Sequence, residues 1–179
     1  PDEIAKLGRI RIKGRFTGFY NDFVTKTDLY SEIGRLKTDI RFANNILEDI
    51  VYYKGDFDAR NFNLGKFLDM ENDFGDINFA LNIAGKGLNI ETLETQVKGR
   101  IDSLNFRDNV INTIFVNAMV QENLFEGSLQ LQDNLINTDF IGIIQLDSSN
   151  PSFDFVANFK DVKLGQLHLL DIDSTASLS

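Results

Sequence analysis

The stretch Gly8–Gly18, GRIRIKGRFTG, decides the fold class because its residues alternate strictly between two chemical types. Ile10, Ile12 and Phe16 fall on one parity, and basic side chains occupy most of the positions between them. A period of two places apolar side chains on one face of a β-strand and polar side chains on the other. The stretch therefore predicts a strand with one buried face and a basic exposed face.

The same alternation recurs along the rest of the chain. Further runs with this period are Leu36–Phe42, Val51–Arg60, Ile77–Ile83, Val97–Ile101, Phe125–Leu131, Ile136–Leu146 and Phe153–Phe159. Helical spacing is limited to about one turn at Leu64–Leu68 and another at Leu164–His168. One apolar and one polar face is typical of antiparallel sheets, so we predict an all-β chain with one or two short helical turns.

Composition excludes several classes of function. The chain has 179 residues, no cysteine, no tryptophan and a single histidine, which excludes disulfides and thiolate metal sites. Its net charge of −9 disfavours nucleic-acid binding because DNA and RNA are polyanions. Apolar runs are too short for a membrane span. We expect no enzymatic activity, no cofactor and no nucleic-acid partner.

Two sequence echoes indicate an internal repeat. Lys13–Phe16, KGRF, returns as KGRI at Lys98–Ile101, and the segment Phe57–Phe67 has an echo that ends at Lys163–Leu167. The order of features is the same around both copies. We therefore expect residues 1–179 to be a single continuous β segment of a larger protein, with approximate repeat units at 8–75 and 93–170.

These features resemble the AsmA-like repeat proteins. The resemblance is carried by the Lys-Gly-Arg strands, by many alternating Phe, Ile and Leu strands, and by the segments FNLGKFL at Phe62–Leu68 and VKLGQL at Val162–Leu167. The composition, which is rich in Asn and Phe, is most similar to that of the translocation and assembly module (TamB) proteins of Bacteroidetes-type bacteria. It is a resemblance of pattern and covers Gly8 to Leu170.

The resemblance implies both a shape and a function. The fold would be a long, curved, open antiparallel sheet, U-shaped in section, often called a β-taco. Its apolar groove would carry phospholipid across the periplasm between inner and outer membranes and support outer-membrane assembly. The parent protein would be anchored in the inner membrane and engage an outer-membrane barrel of the BamA or TamA type. Phospholipid would be the transported ligand.

The apolar parity of the predicted strands supplies the candidate lining of this groove. The candidates are Ile10, Ile12, Phe16, Leu36, Ile40, Phe42, Val51, Tyr53, Phe57, Ile77, Phe79, Leu81, Ile83, Val97, Ile101, Phe125, Leu129, Leu131, Phe140, Ile144, Phe153 and Phe155. Burying methylene groups is favourable by about 0.8 kcal/mol each and has no directional demand, so an acyl chain could slide along such a surface.

Other readings of the same residues stay open. The apolar parity also fits the core of a self-contained β-sandwich or barrel that acts as a binding or structural module of a secreted or envelope protein. Paired carboxylates at Asp56 and Asp58, and at Asp171 and Asp173, fit solvated strand faces better than a calcium site. Gly85–Gly87 lacks the features of a phosphate loop and predicts a turn. We predict no catalytic and no metal-binding residues.

Overall fold

The computed structural model describes residues 5–47, 50–88, 93–107, 109–121, 124–134, 136–145 and 152–162. Within these ranges the chain forms ten strands and, between β4 and β5, one short helix, α1 (Leu64–Leu68). The strands are β1 (Arg11–Phe19), β2 (Asp22–Ser31), β3 (Gly34–Asn45), β4 (Ile50–Asn63), β5 (Phe74–Lys86), β6 (Glu94–Phe106), β7 (Asn109–Gln121), β8 (Leu124–Gln132), β9 (Ile136–Gln145) and β10 (Ser152–Val162).

All ten strands belong to one antiparallel sheet in which spatial order equals chain order, β1 to β10. The sheet is not closed, so β1 and β10 are its two edges. The described strands therefore form neither the two layers of a sandwich nor the closed wall of a barrel. The predicted all-β, curved, antiparallel sheet is confirmed.

Strand register divides the side chains between two faces, because directly opposed residues in antiparallel strands lie on the same face. One continuous row of opposed residues runs across the sheet through Ile12, Leu29, Leu36, Ala59, Phe79, Ile101, Ile114, Leu131, Thr138 and Phe159. We call the face that carries this row the inner face, and the opposite face the outer face.

The buried side chains lie almost entirely on the inner face. Buried apolar residues in the strands are Ile40, Ala59, Ile77, Ile111, Ile114, Val116, Ala118 and Leu131. No second layer covers this face among the residues that the structure describes. Because the sheet is curved and its buried side chains lie on this face without a covering layer, we take the inner face to be the concave one.

Backbone irregularities sit at one level across the sheet and help it to bend. In β4 the pairing with β5 shifts between Ala59 and Phe62, where Asn61 has a φ of 47°. In β7 the corresponding place is Thr113, with a φ of 56°. Because each strand has one extra residue at this place, apolar residues that are three positions apart in the sequence lie on the same face. Bulges of this kind bend a strand and increase its twist.

Helix α1 is the short helical turn that the sequence predicts at Leu64–Leu68. Asn63 caps its start, since the side-chain oxygen accepts a hydrogen bond of 2.8 Å from the backbone N–H of Lys66. Asp69 ends it in the left-handed conformation, with φ 57°. The second predicted turn, Leu164–His168, lies outside the described residues.

The two predicted repeat units differ in strand content. Unit 8–75 holds β1 to β4 with α1, whereas unit 93–170 holds β6 to β10. The Lys-Gly-Arg segments lie on β1 and β6, with Gly14 and Gly99 both on the inner face and the basic residues on the outer face. Four strands lie between β1 and β6 in the antiparallel sheet, so the two segments run in opposite directions.

Candidate functional site: the inner face of the sheet

The strand register brings the predicted groove-lining residues to one face. Every one of them that lies within a strand belongs to the inner face. Ile10 lies just before β1. For Ile144 and Phe153 the strand pairing is described and the side chain is not. The sheet thus brings residues from Ile10 to Phe155 onto one surface, about 43 Å long at about 4.8 Å per strand.

Aromatic rings form a ladder along the β1 to β4 part of the inner face. Ring centroids are 5.4 Å apart between Phe16 and Phe23, 5.3 Å between Phe23 and Phe42, and 6.5 Å between Phe42 and Tyr53. These distances are typical of favourable tilted ring pairs. The rings are only partly buried by one another, so this part of the face keeps an accessible aromatic surface.

Aliphatic side chains form a tighter cluster along β6 to β9. Its buried members are Ile111, Ile114, Val116, Ala118 and Leu131. Partly buried residues pack against them, namely Val97, Ile101, Leu104, Phe106, Phe125, Leu129 and Phe140. Ile114 is only 5 % exposed. In this part the inner face is already largely covered by its own side chains.

Hydroxyl groups on the inner face mostly bond within the sheet. Tyr53 and Thr95 share a short hydrogen bond that passes over β5 at Gly85. The hydroxyls of Thr25 and Thr27 lie 2.9 Å apart, and Thr138 donates to the carbonyl of Asn158 at 3.0 Å. Because these groups are satisfied, they offer no convergent set of polar contacts that would hold one polar ligand in a single pose.

Glycines on the inner face allow neighbouring strands to approach closely. At Gly55 in β4, an added Cβ would lie 2.6 Å from Cα of Ile40 in β3. At Gly127 in β8, it would lie 2.5 Å from Cα of Ala118 in β7. Side chains cannot fit at such distances, so these positions need glycine for the sheet to curve inward.

The outer face is held by cross-strand ion pairs, most densely on β2 to β4. The closest links there are Lys26–Asp39 and Arg41–Asp22, each at 2.6 Å, and Arg35–Asp28 at 2.7 Å. The hydrogen bond from Arg41 lowers the pKa of the Asp22 carboxyl. These pairs are solvent-exposed and screened by water, so each contributes little to stability.

One charge cluster spans three strands. Arg60 in β4 reaches over β5 to Asp102 in β6 at 2.8 Å, and also contacts Asp58 at 2.9 Å. Arg100 adds a contact to Asp102 at 2.6 Å. Burial raises the pKa of Asp102, but hydrogen bonds from Arg60 and Arg100 outweigh it, so the net pKa is lowered. Asp102 therefore stays ionised at neutral pH.

Hollows on the outer face do not assemble a reactive site. The one beside Arg41, Lys54, Lys86 and Glu94 has a volume of about 490 Å³. Arg41 is paired with Asp22, and Lys86 with Glu94 at 2.8 Å, so its charges are largely compensated. The hollow is a shallow depression between long side chains and not a reactive site.

The side chains that the sequence offers as candidates for metal binding or catalysis either bond to other side chains of the sheet or fall outside the described residues. Asp58 binds Arg60, and Asp56 accepts a 2.8 Å hydrogen bond from Asn82. Within the described ranges no cluster of three or more His, Cys, Asp or Glu could hold a metal ion. In the same part of the chain no helix is long and apolar enough to cross a membrane. His168, Asp171 and Asp173 fall outside the described residues.

Several inner-face residues escape the sequence pattern. On β2, which shows no clear alternation of apolar residues, they are Phe23, Thr25, Thr27 and Leu29. On β6 and β7 they are Leu104, Phe106, Ile111, Ile114, Val116 and Ala118. Strand β2 is hidden because its inner face carries two threonines. In β7 the extra residue at Thr113 shifts the alternation by one position. The inner-face residues before and after Thr113 therefore follow two different alternating series, and a single period of two finds only one of them.

Comparison with known proteins adds no identification. No family model, no curated protein and no solved structure matches the chain.

Proposed function

We propose that this chain is a segment of a lipid-transfer bridge in which the inner face carries phospholipid acyl chains along the sheet. The observation that carries the proposal is the continuity of the inner face. Apolar side chains from ten consecutive strands lie on one concave surface, with no second layer over it among the described residues. Such a surface suits a long, apolar and unspecific ligand.

The chemistry of the face favours sliding over fixed binding. Each methylene removed from water contributes about 0.8 kcal/mol wherever it lies along the face. The inner-face hydroxyls of Tyr53, Thr95 and Thr138 are already bonded within the sheet. An acyl chain would therefore meet similar contacts at successive strands.

The cellular setting belongs to the same proposal and depends on the resemblance to the AsmA-like and TamB proteins. In that setting the chain is periplasmic and has no enzymatic role or cofactor. Its parent protein is anchored in the inner membrane, and an outer-membrane barrel of the BamA or TamA type is the partner. Phospholipid is carried between the two membranes and supports outer-membrane assembly.

A structural role is the second candidate. The observation in its favour is the cluster around Ile114, where inner-face side chains bury one another without a ligand. Lipid would then have access mainly to the aromatic ladder of β1 to β4. Extraction of the purified chain with organic solvent, followed by lipid analysis, separates the two roles, because a mixture of phospholipids is expected only for a lipid path.

The sharpest test places a charge on the inner face. Phe79 lies half-buried in the middle of β5, and Phe79→Glu puts a carboxylate in the proposed path. We expect the variant to stay folded, with a loss of about 1–2 kcal/mol, because the partly buried side chain still reaches water. Bound phospholipid should fall sharply, and cells that carry the variant in the parent protein should lose envelope integrity.

The neighbouring residue supplies a matched control. Ala80 is exposed on the outer face opposite Arg100, so Ala80→Glu adds the same charge outside the path. It should preserve both stability and bound lipid. Retention of lipid by a folded Phe79→Glu variant would contradict the proposed path. Complete unfolding of that variant would instead show that the inner face is a closed core.

A further inference from the structure

Among the described residues the sheet ends in β1 and β10, each paired on one side only, and both strands expose apolar side chains. Strand β1 is exposed along its entire length, with Phe16 70 % and Phe19 81 % exposed. On β10, Val156 is 66 % and Phe159 60 % exposed. Each edge also presents backbone N–H and C=O groups that no described strand satisfies. The two edges are therefore suited to accept a further strand.

The number of strands makes the two edges complementary. Ten antiparallel strands leave β1 and β10 running in opposite directions. When a second copy is placed beside the first by translation, its β1 lies antiparallel to β10, and the alternation continues unbroken. Translation also keeps the inner faces of both copies on the same side.

Charge selects this arrangement over pairing between identical edges. The outer face of β1 carries Arg11, Lys13 and Arg15, and none of them forms an ion pair among the described residues. Lys13 lies opposite Asp28, but that carboxylate is bound by Arg35. Two β1 strands paired antiparallel would set these like charges opposite one another, which is destabilising. A β1 edge therefore needs a partner strand that carries an acid on the same face.

The β10 edge supplies that acid. Asp154 is exposed on the outer face and forms no ion pair among the described residues, whereas Lys160 is neutralised by Asp139 at 2.7 Å. When Asp154 lies opposite Arg15, small inner-face residues of one edge also lie opposite large residues of the other edge. Phe155 then lies against Gly14, and Ala157 against Ile12.

We infer that the β1 edge binds the β10 edge of a second copy of this chain, with Asp154 opposite Arg15, so that the sheet continues from copy to copy. The contact joins two different edges and leaves one of each free. Such a contact does not close on itself and produces open chains of copies. This inference does not depend on the proposed lipid path.

A charge-reversal cycle on the 179-residue chain tests the pairing by sedimentation velocity over a range of concentrations up to about 1 mM. Arg15→Glu and Asp154→Arg should each raise the dissociation constant about fivefold, since each replaces an attractive cross-strand pair by a repulsive one. The double variant should recover the original affinity. Lys98→Glu makes the same charge change on an interior strand and should leave association unchanged.

Three outcomes would overturn the inference. The first is a monomer at every concentration. The second is tighter association of Arg15→Glu, which would indicate pairing between two β1 edges. The third is a double variant that is no better than the single ones, which would indicate that the two residues do not meet.

Cross-linking provides an independent readout, because the chain has no native cysteine. In the proposed register Lys13 and Val156 are opposed across the contact, within reach of a disulfide. A mixture of Lys13→Cys and a size-tagged Val156→Cys should oxidise mainly to the mixed dimer. Predominant homodimers of either variant would contradict the register.

Discussion

Strands β2 to β4 and strands β7 to β9 share one sheet but are stabilised differently. In β2 to β4 the inner face carries partly exposed rings such as Phe23 and Phe42, and the outer face is tied by ion pairs. In β7 to β9 the inner face carries the buried aliphatic cluster around Ile114, and the outer face exposes Ile141 at 61 %.

The difference shows where a single curved sheet obtains its stability. Branched aliphatic side chains fill a concave surface and exclude water, so they contribute most of the hydrophobic free energy. Rings stacked along the ladder bury less of themselves, and exposed ion pairs add little. The second region therefore stabilises the sheet, and the first leaves part of its apolar surface exposed.

The largest effect should come from shortening a side chain in the buried cluster. Ile114→Ala leaves a cavity at a position that is only 5 % exposed, and should lower the free energy of unfolding by about 3 kcal/mol. Phe42→Ala removes more atoms but at a half-buried site, so about 1.5 kcal/mol is expected. Urea denaturation of both variants measures this difference. A larger loss for Phe42→Ala would reverse the assignment of the two regions.

A second, smaller effect should separate the centre of the sheet from its edge. Gly55→Ala places a Cβ 2.6 Å from Cα of Ile40, and we expect a cost of about 2 kcal/mol because strands on both sides hold β4 in place.

Gly14→Ala is the matched control at the edge. Its added Cβ would lie 2.9 Å from the carbonyl oxygen of Lys26, but β1 has only one neighbour and can shift. The expected cost is below about 1 kcal/mol. Thermal unfolding compares the two variants, and equal losses would show that the curvature does not depend on a close approach at β4.

The smallest effect concerns the charge cluster of Arg60, Asp58 and Asp102. Arg60→Ala should cost about 0.5 kcal/mol at neutral pH, since the cluster is partly exposed. The pKa of Asp102 is lowered in the folded chain, so its contribution is present above the ordinary Asp pKa of about 4. That contribution is lost as the pH falls through the lower folded value.

The pH dependence of unfolding checks this assignment. The difference in stability between the original chain and Arg60→Ala should shrink as the pH is lowered from 7 through and below the ordinary Asp pKa of about 4. Lys98→Ala, which alters an exposed residue of β6 outside the cluster, should show no such dependence. A difference that is constant with pH would mean that Asp102 is not the partner that matters.

Much of the fold can be predicted from local pattern. The runs Ile77–Ile83 and Ile12–Phe16 alternate cleanly, and the structure places their apolar residues on the inner face. Helix α1 is equally visible, because Asn63 and the spacing of Leu64 and Leu68 act over only a few residues. Signals of this kind depend on neighbours in the chain.

Other elements cannot be found in this way. Strand β2 has Val24 on its outer face and Thr25 on its inner face, so hydropathy does not distinguish the two sides. In β7 the extra residue at Thr113 changes the parity between Ile111 and Ile114. A bulge depends on how the strand pairs with its neighbour. This pairing joins residues that are distant in the sequence, so a local pattern does not reveal it.

The sequence by itself determined that the chain is all-β, that its strands have one apolar face, and which residues of most strands share that face. Alternation is sufficient for this because side chains on a strand point to opposite sides in turn. Only the tertiary structure decided that ten strands join in one unclosed sheet and that the inner face divides into an aromatic ladder and an aliphatic cluster. Register, bulges and close approaches at residues such as Gly55 set that division, because they arise from backbone contacts between strands rather than from the order of residues within one.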